Sequence, residues 1–121
     1  MGTVKDFEDL EIWRMARELV NCIYSDFADC RDYGFKDQIT RAGISIMNNI
    51  SEGFCRNSDA EFRQFLNISK GSAGEVKSMY YIAEDQSFSD GEISIARRNK
   101  TQRLINIIGA LMQYLKTKKI H

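Results

Sequence analysis

The chain reads as an all-α protein, an antiparallel up-down-up-down four-helix bundle formed by residues 1–121 as one domain. Three observations predict it. Apolar side chains recur at three- and four-residue spacing through four segments, with no sustained alternation of apolar and polar residues. Proline is absent from all 121 residues, where average usage would place about six, so long helices can run unbroken. The breaks at Asp29-Cys30-Arg31-Asp32, Gly53 to Ser58 and Gln86-Ser87-Phe88-Ser89 are short, which makes consecutive helices antiparallel neighbours.

The first helix is expected over about 10–29, where Ile12, Ala16, Leu19, Ile23 and Phe27 form one stripe. The second, over about 33–52, repeats as Phe35, Ile39, Ala42, Ile46 and Ile50. Gly53 follows that run and suits the left-handed residue that ends many helices. The third, over about 59–86, buries Phe62, Phe65, Leu66, Ala73, Val76, Tyr80 and Ala83. The fourth, over about 90–118, buries Ile93, Leu104, Ile107, Ile108, Leu111 and Leu115. Ser58-Asp59-Ala60-Glu61 and Ser89-Asp90-Gly91-Glu92 both match the Ser-x-x-Glu capping box, which marks the last two starts. Gly71 and Gly74 inside the third helix cost about 1 kcal/mol each relative to alanine. The expected compensation is close approach of a neighbouring helix; a phosphate-cradling loop would need the Lys-Ser/Thr signature and a preceding strand, and both are missing.

Helices 1 and 4 are greasier than a lone bundle requires. Trp13, Val20 and Tyr24 widen the first stripe on one flank, and Met15 and Cys22 extend it on the other. Ile105 and Met112 widen the fourth, with Ala110 and Tyr114 opposite. Surplus apolar surface in a small domain is usually covered by a partner, so the chain is expected to form a homo-oligomer through Trp13, Met15, Cys22, Ile105 and Met112.

Residues that carry chemistry are scarce. The one histidine, His121, is the last residue, with no oriented partners for nucleophilic catalysis or zinc. Cys22, Cys30 and Cys55 are odd in number and lack a Cys-x-x-Cys spacing, as expected of free thiols in a reducing compartment. Glu84-Asp85 and Asp6/Glu8/Asp9 read as solvated charge, and no Glu-x-x-His pair exists for a di-metal site. No catalytic residue, metal or cofactor is expected. The start, Met1-Gly2-Thr3-Val4-Lys5-Asp6, lacks a secretory pattern and has Asp6 where myristoylation requires Ser or Thr. No run approaches the roughly 20 apolar residues of a membrane span, and a cytoplasmic protein is expected.

Charge sums to zero but is uneven, with seven basic and one acidic side chains in residues 91–121. Arg97, Arg98, Lys100, Arg103, Lys116, Lys118 and Lys119 are the candidate nucleic-acid contacts. On one helix they point in several directions, and the last three also suit a helix C-terminus. Helix 2 carries a polar face of Asp37, Arg41, Ser45, Asn48 and Glu52, with Asn49 at its boundary, which is either simply solvated or a docking surface.

Three motifs resemble a known family. They are Asp6 to Trp13 (DFEDLEIW), Arg41 to Phe54 (RAGISIMNNISEGF), and Glu61 to Ser72 (EFRQFLNISKGS) with Glu75 following. They are similar to bacterial four-helix-bundle proteins encoded in intervening sequences of large-subunit ribosomal RNA genes, and to accessory proteins of diversity-generating retroelements. The family's Asn-Ile-Ala-Glu-Gly stands here as Asn49-Ile50-Ser51-Glu52-Gly53, with Met47 where a proline is common. The resemblance implies a homo-pentameric ring without enzymatic activity or cofactor, an RNA- or DNA-binding role, and, for the retroelement members, a reverse transcriptase as partner. It marks Arg41, Ser45, Asn49, Glu52 and Gly53 as the family-motif surface.

Overall fold

Three helices begin on a short polar side chain that accepts a hydrogen bond from a free backbone N–H, which satisfies donors the helix itself leaves open. Asp32 accepts from Phe35 N at 3.1 Å, Ser58 from Glu61 N at 3.2 Å and Asp90 from Ile93 N at 2.8 Å. In the computed structural model, which describes residues 4–118, the elements are a 3₁₀ turn at Phe7–Asp9, then α1 (Glu11–Asp26), α2 (Tyr33–Phe54), α3 (Asp59–Asp85) and α4 (Gly91–Thr117). They form an antiparallel four-helix bundle, with contacts α1 to α2, α2 to α3, α3 to α4 and α4 back to α1. The expected spans agree to within three residues at every end. The 3₁₀ turn is additional; it is capped reciprocally by Asp6 and Asp9.

One core joins the four stripes. All five expected residues of each of α1 and α2 are buried, as are Leu66, Ala73, Val76, Tyr80 and Ala83 of α3 and Leu104, Ile108 and Leu115 of α4. Phe62, Phe65, Ile93, Ile107 and Leu111 are half-buried at its margin. The α1–α2 end is closed by aromatic rings: Phe27 lies 5.2 Å from Phe35 and 5.4 Å from Tyr80, and Phe35 lies 5.1 Å from Phe88. That packing turns Phe27 inward at the C-cap and ends α1 at Asp26, three residues before the expected stop.

Three expectations about small residues are corrected. Gly53 is not a left-handed terminator: no glycine among the described residues has positive φ, and α2 continues through Phe54. Its missing side chain makes room, since a Cβ there would lie 2.7 Å from Phe65 Cβ and 2.9 Å from Phe62 Cδ1. Gly71 and Gly74 do the opposite of what was expected, because a Cβ at either meets nothing within 4 Å and no helix of this chain approaches them. The close approach between α2 and α3 is made instead by serines, with Ser69 Oγ donating to Ile46 O at 2.8 Å and Ser45 and Ser72 hydroxyls bonded at 2.8 Å. At the start of α4 the cap is Asp90 rather than Ser89, whose hydroxyl bonds to Asp90 O. An aspartate carboxylate accepts the amide and also complements the helix N-terminus, where a serine supplies no charge.

Gly71→Ala is accordingly expected to stabilise the fold by about 0.5–1 kcal/mol, the helix-propensity gain with no clash against it. A shift of the urea midpoint to higher concentration checks this.

Candidate nucleic-acid interface

A helix with six basic and no acidic side chains between residues 93 and 118 repels itself unless carboxylates arrive from elsewhere. Four of the six receive one. Arg97 grips Asp26 at the end of α1 with both arms, Nε to Oδ2 at 2.7 Å and Nη2 to Oδ1 at 2.9 Å. Arg98 meets Glu84 at 2.7 Å and lies over the Tyr81 ring at 4.0 Å. Lys100 reaches Glu18 and Lys118 reaches Asp59, each at 3.1 Å. Arg103 and Lys116 are exposed and have no carboxylate within 4.0 Å among the described residues. Lys119 and His121 lie outside the described residues.

The Asp26 cluster is the most deeply placed charge. Asp26 keeps 5% of its side chain exposed and accepts a third hydrogen bond from Tyr80 Oη at 2.8 Å. Burial, with that bond to Asp26, holds the Tyr80 phenol well above the ordinary tyrosine range, so it stays a neutral donor. The hydrogen bond to Asp26 pushes the Arg97 guanidinium still higher, against some desolvation. Both carboxylate oxygens of Asp26 are taken by neighbours, so the cluster fastens α1 to α3 and α4. Glu84, which accepts from Arg98, is held below the usual carboxylate range mainly by that bond.

The family-motif residues divide. Ser45, bonded to Ser72, and Gly53, against Phe62 and Phe65, sit at the α2–α3 contact, while Asn49 donates within α2 to Ser45 O at 2.8 Å and Ser45 Oγ at 3.0 Å. Arg41 and Glu52 face solvent, in i,i+4 pairs with Asp37 and Arg56 at 2.8 Å. Trp13, Met15, Cys22, Ile105 and Met112 are all half-buried at the core's edge. The large apolar side chains most open to solvent are others, among them Ile68, Tyr81 and Ile82 on α3, Ile95 and Tyr114 on α4, and Tyr24.

The cations that sequence reading missed are on α3. Residues 62–74 contain Arg63 and Lys70 and no acid, and among the described residues neither has a carboxylate within 4.0 Å. Arg63, Lys70 and Lys77 are spaced by seven and so share one face of the helix. Lys77 Nζ donates to Gln102 Oε1 of α4 at 2.7 Å, which identifies that face as the one beside α4. Arg63 and Lys70 line an open depression of about 280 Å³ with Gly109, Met112, Gln113 and Lys116 of α4. The depression beside it is lined by Ala60, Arg63, Gln64, Asn67 and Met112, again without an acid. Their common spacing was the available signal.

Among the described residues no helix is long and apolar enough to cross a membrane, and no group of three or more His, Cys, Asp or Glu is gathered for a metal. The fold is shared with a solved structure from Bacteroides thetaiotaomicron, described as a protein of unknown function from the S23 ribosomal protein family. The two superpose with a TM-score of 0.79 at 21% identity, over 84% of this chain and 98% of that one. No curated protein matches. The model of the 23S rRNA-intervening sequence protein family matches residues 8–110. With four antiparallel helices and a match across most of its length, the chain belongs to the 23S rRNA-intervening sequence protein family.

Proposed function

We propose that this chain is a non-enzymatic, cytoplasmic, single-domain scaffold that assembles as a homo-oligomer, a pentameric ring, and binds RNA. The observation that carries the reading is the pairing of two adjacent antiparallel helical stretches, 62–74 and 93–118, with eight basic and no acidic side chains between them. Carboxylates from elsewhere neutralise four, and Arg63, Lys70, Arg103 and Lys116 are left over. Three of these, Arg63, Lys70 and Lys116, line one depression; unneutralised cations beside one another suit a polyanion, and the family's name ties its members to ribosomal RNA. Ile68, Ile82 and Ile95 supply exposed apolar surface for assembly.

A second reading, an accessory protein that docks a protein partner such as a reverse transcriptase, draws on those same isoleucines. It requires no RNA affinity in the chain itself.

Light scattering on the purified chain, alone and with RNA, tests the proposal. The chain alone is expected at a multiple of its 14.0 kDa mass, five protomers for the ring. With RNA it is expected to form a heavier complex that disperses as salt rises. A monomer at micromolar concentration contradicts the assembly, and no complex at low salt contradicts the RNA role.

A further inference from the structure

We propose that the groove between α3 and α4 is the phosphate track of this protein, with Arg63, Lys70, Lys77 and Lys116 holding the sugar–phosphate backbone of RNA. The assignment rests on the RNA-binding reading above and adds the place. The bond between Lys77 and Gln102 fixes the register of the two antiparallel helices. Stepping seven residues back along α3 and forward along α4 sets Lys70 across from Gly109, and a further seven sets Arg63 across from Lys116. The shared depression of Arg63, Lys70, Gly109 and Lys116 agrees with that register. At 1.5 Å per residue the three α3 cations span roughly 21 Å along the groove. Lys77 uses one of its three donors on Gln102 and keeps two.

Among the described residues, no carboxylate lines either depression. The acids at the two ends of the row, Asp59 and Glu84, are occupied by Lys118 and Arg98. Between those ends the groove offers amides instead, from Gln64 and Asn67 on α3 and Gln113 on α4. Gly109, like Gly71 and Gly74, leaves open space on its helix surface, and here that space lies inside the depression. Glycine inside a helix costs about 1 kcal/mol against alanine, and a Cβ at this position would meet nothing within 4 Å in the chain. Close approach of a ligand's backbone between Lys70 and Lys116 gives that glycine a use. Arg103 sits about 100° around α4 from Gln102 and faces away from the groove.

The test is binding of a fluorescent single-stranded RNA by the full chain across a salt series. The variant Arg63→Ala/Lys70→Ala/Lys116→Ala is expected to bind roughly tenfold or more weakly at about 50 mM salt, with a log–log salt slope smaller by about 2, near 0.7 per lost contact. A variant matched in charge but remote from the groove, Lys5→Ala/Arg31→Ala/Lys36→Ala, is expected to keep the native slope. Gly109→Ala separates binding from folding, and serves also if the triple variant does not fold: its melting temperature should rise while RNA affinity falls. Native affinity and slope in the groove variant, equal losses in both triple variants, or undiminished RNA affinity in Gly109→Ala would each overturn the groove while leaving RNA binding itself intact. An unmodified chain that binds no RNA would remove both.

Discussion

Arg97→Ala should destabilise the bundle by about 3 kcal/mol, the lower end of what breaking one side of a buried ion pair costs. The reason is local. Asp26 is an anion in the last turn of α1, where the helix dipole already disfavours negative charge, and it is 5% exposed. Arg97 supplies two of its three hydrogen bonds, so the truncated chain holds a carboxylate away from water with only Tyr80 for support. Urea unfolding followed by circular dichroism would read the loss as a lower midpoint at unchanged slope. Arg97→Lys should recover only part, because an ammonium cannot occupy both carboxylate oxygens in a fork. Asp26→Leu/Arg97→Met, which removes both charges, should lose less than Arg97→Ala alone. The cluster also sets an alkaline limit. In the unfolded chain Tyr80 releases its proton near pH 10, while in the folded chain its pKa is raised beyond that. Stability from this group is therefore complete below about pH 10 and falls as pH rises further. An Arg97→Ala chain as stable as the original would show that Asp26 reaches water and that the cluster is not a fastening.

Gly53→Ala should destabilise by up to about 2 kcal/mol, the reverse of the usual gain from replacing a helical glycine. Helix propensity favours alanine by about 1 kcal/mol, but overpacking costs about 1–3 kcal/mol, and the new methyl would sit 2.7 Å from Phe65 Cβ and 3.3 Å from Phe62 O. Those atoms belong to the rigid start of a side chain and to backbone, so relief requires α2 and α3 to separate. The serine contacts at Ser45, Ser69 and Ser72 resist that separation. Gly43 differs: its close neighbour is Ile23 Cδ1, the free end of a flexible side chain. Differential scanning calorimetry on Gly53→Ala and Gly71→Ala side by side should give melting temperatures on opposite sides of the parent. A higher melting temperature for Gly53→Ala would mean the helices have room to spare.

The bundle was legible because its signals are local. Stripe residues three and four apart report their own burial, and caps lie within one turn of the helices they start. What was illegible depends on residues far apart in the chain. Nothing in the run Arg97-Arg98-Asn99-Lys100 reveals that three of its members are matched by Asp26, Glu84 and Glu18, because the helices must be assembled before those pairs exist. The basic quarter of the sequence therefore looked like the interface, when most of its described charge is neutralised inside the protomer. Arg63 and Lys70 looked unremarkable on α3 and gain their meaning only from Lys116 across the groove. Gly53 was misread for the same reason: its lack of a side chain answers to Phe62 and Phe65, on the next helix.

The central claim is that this bundle acts by holding phosphates on unneutralised cations rather than by chemistry. It is tested most directly by the affinity of the unmodified chain for single-stranded RNA between about 50 and 200 mM salt. Four groove cations predict a log–log slope near −2.8, at about 0.7 per contact. Affinity that stays flat across that range, or is absent at its low end, would contradict the account.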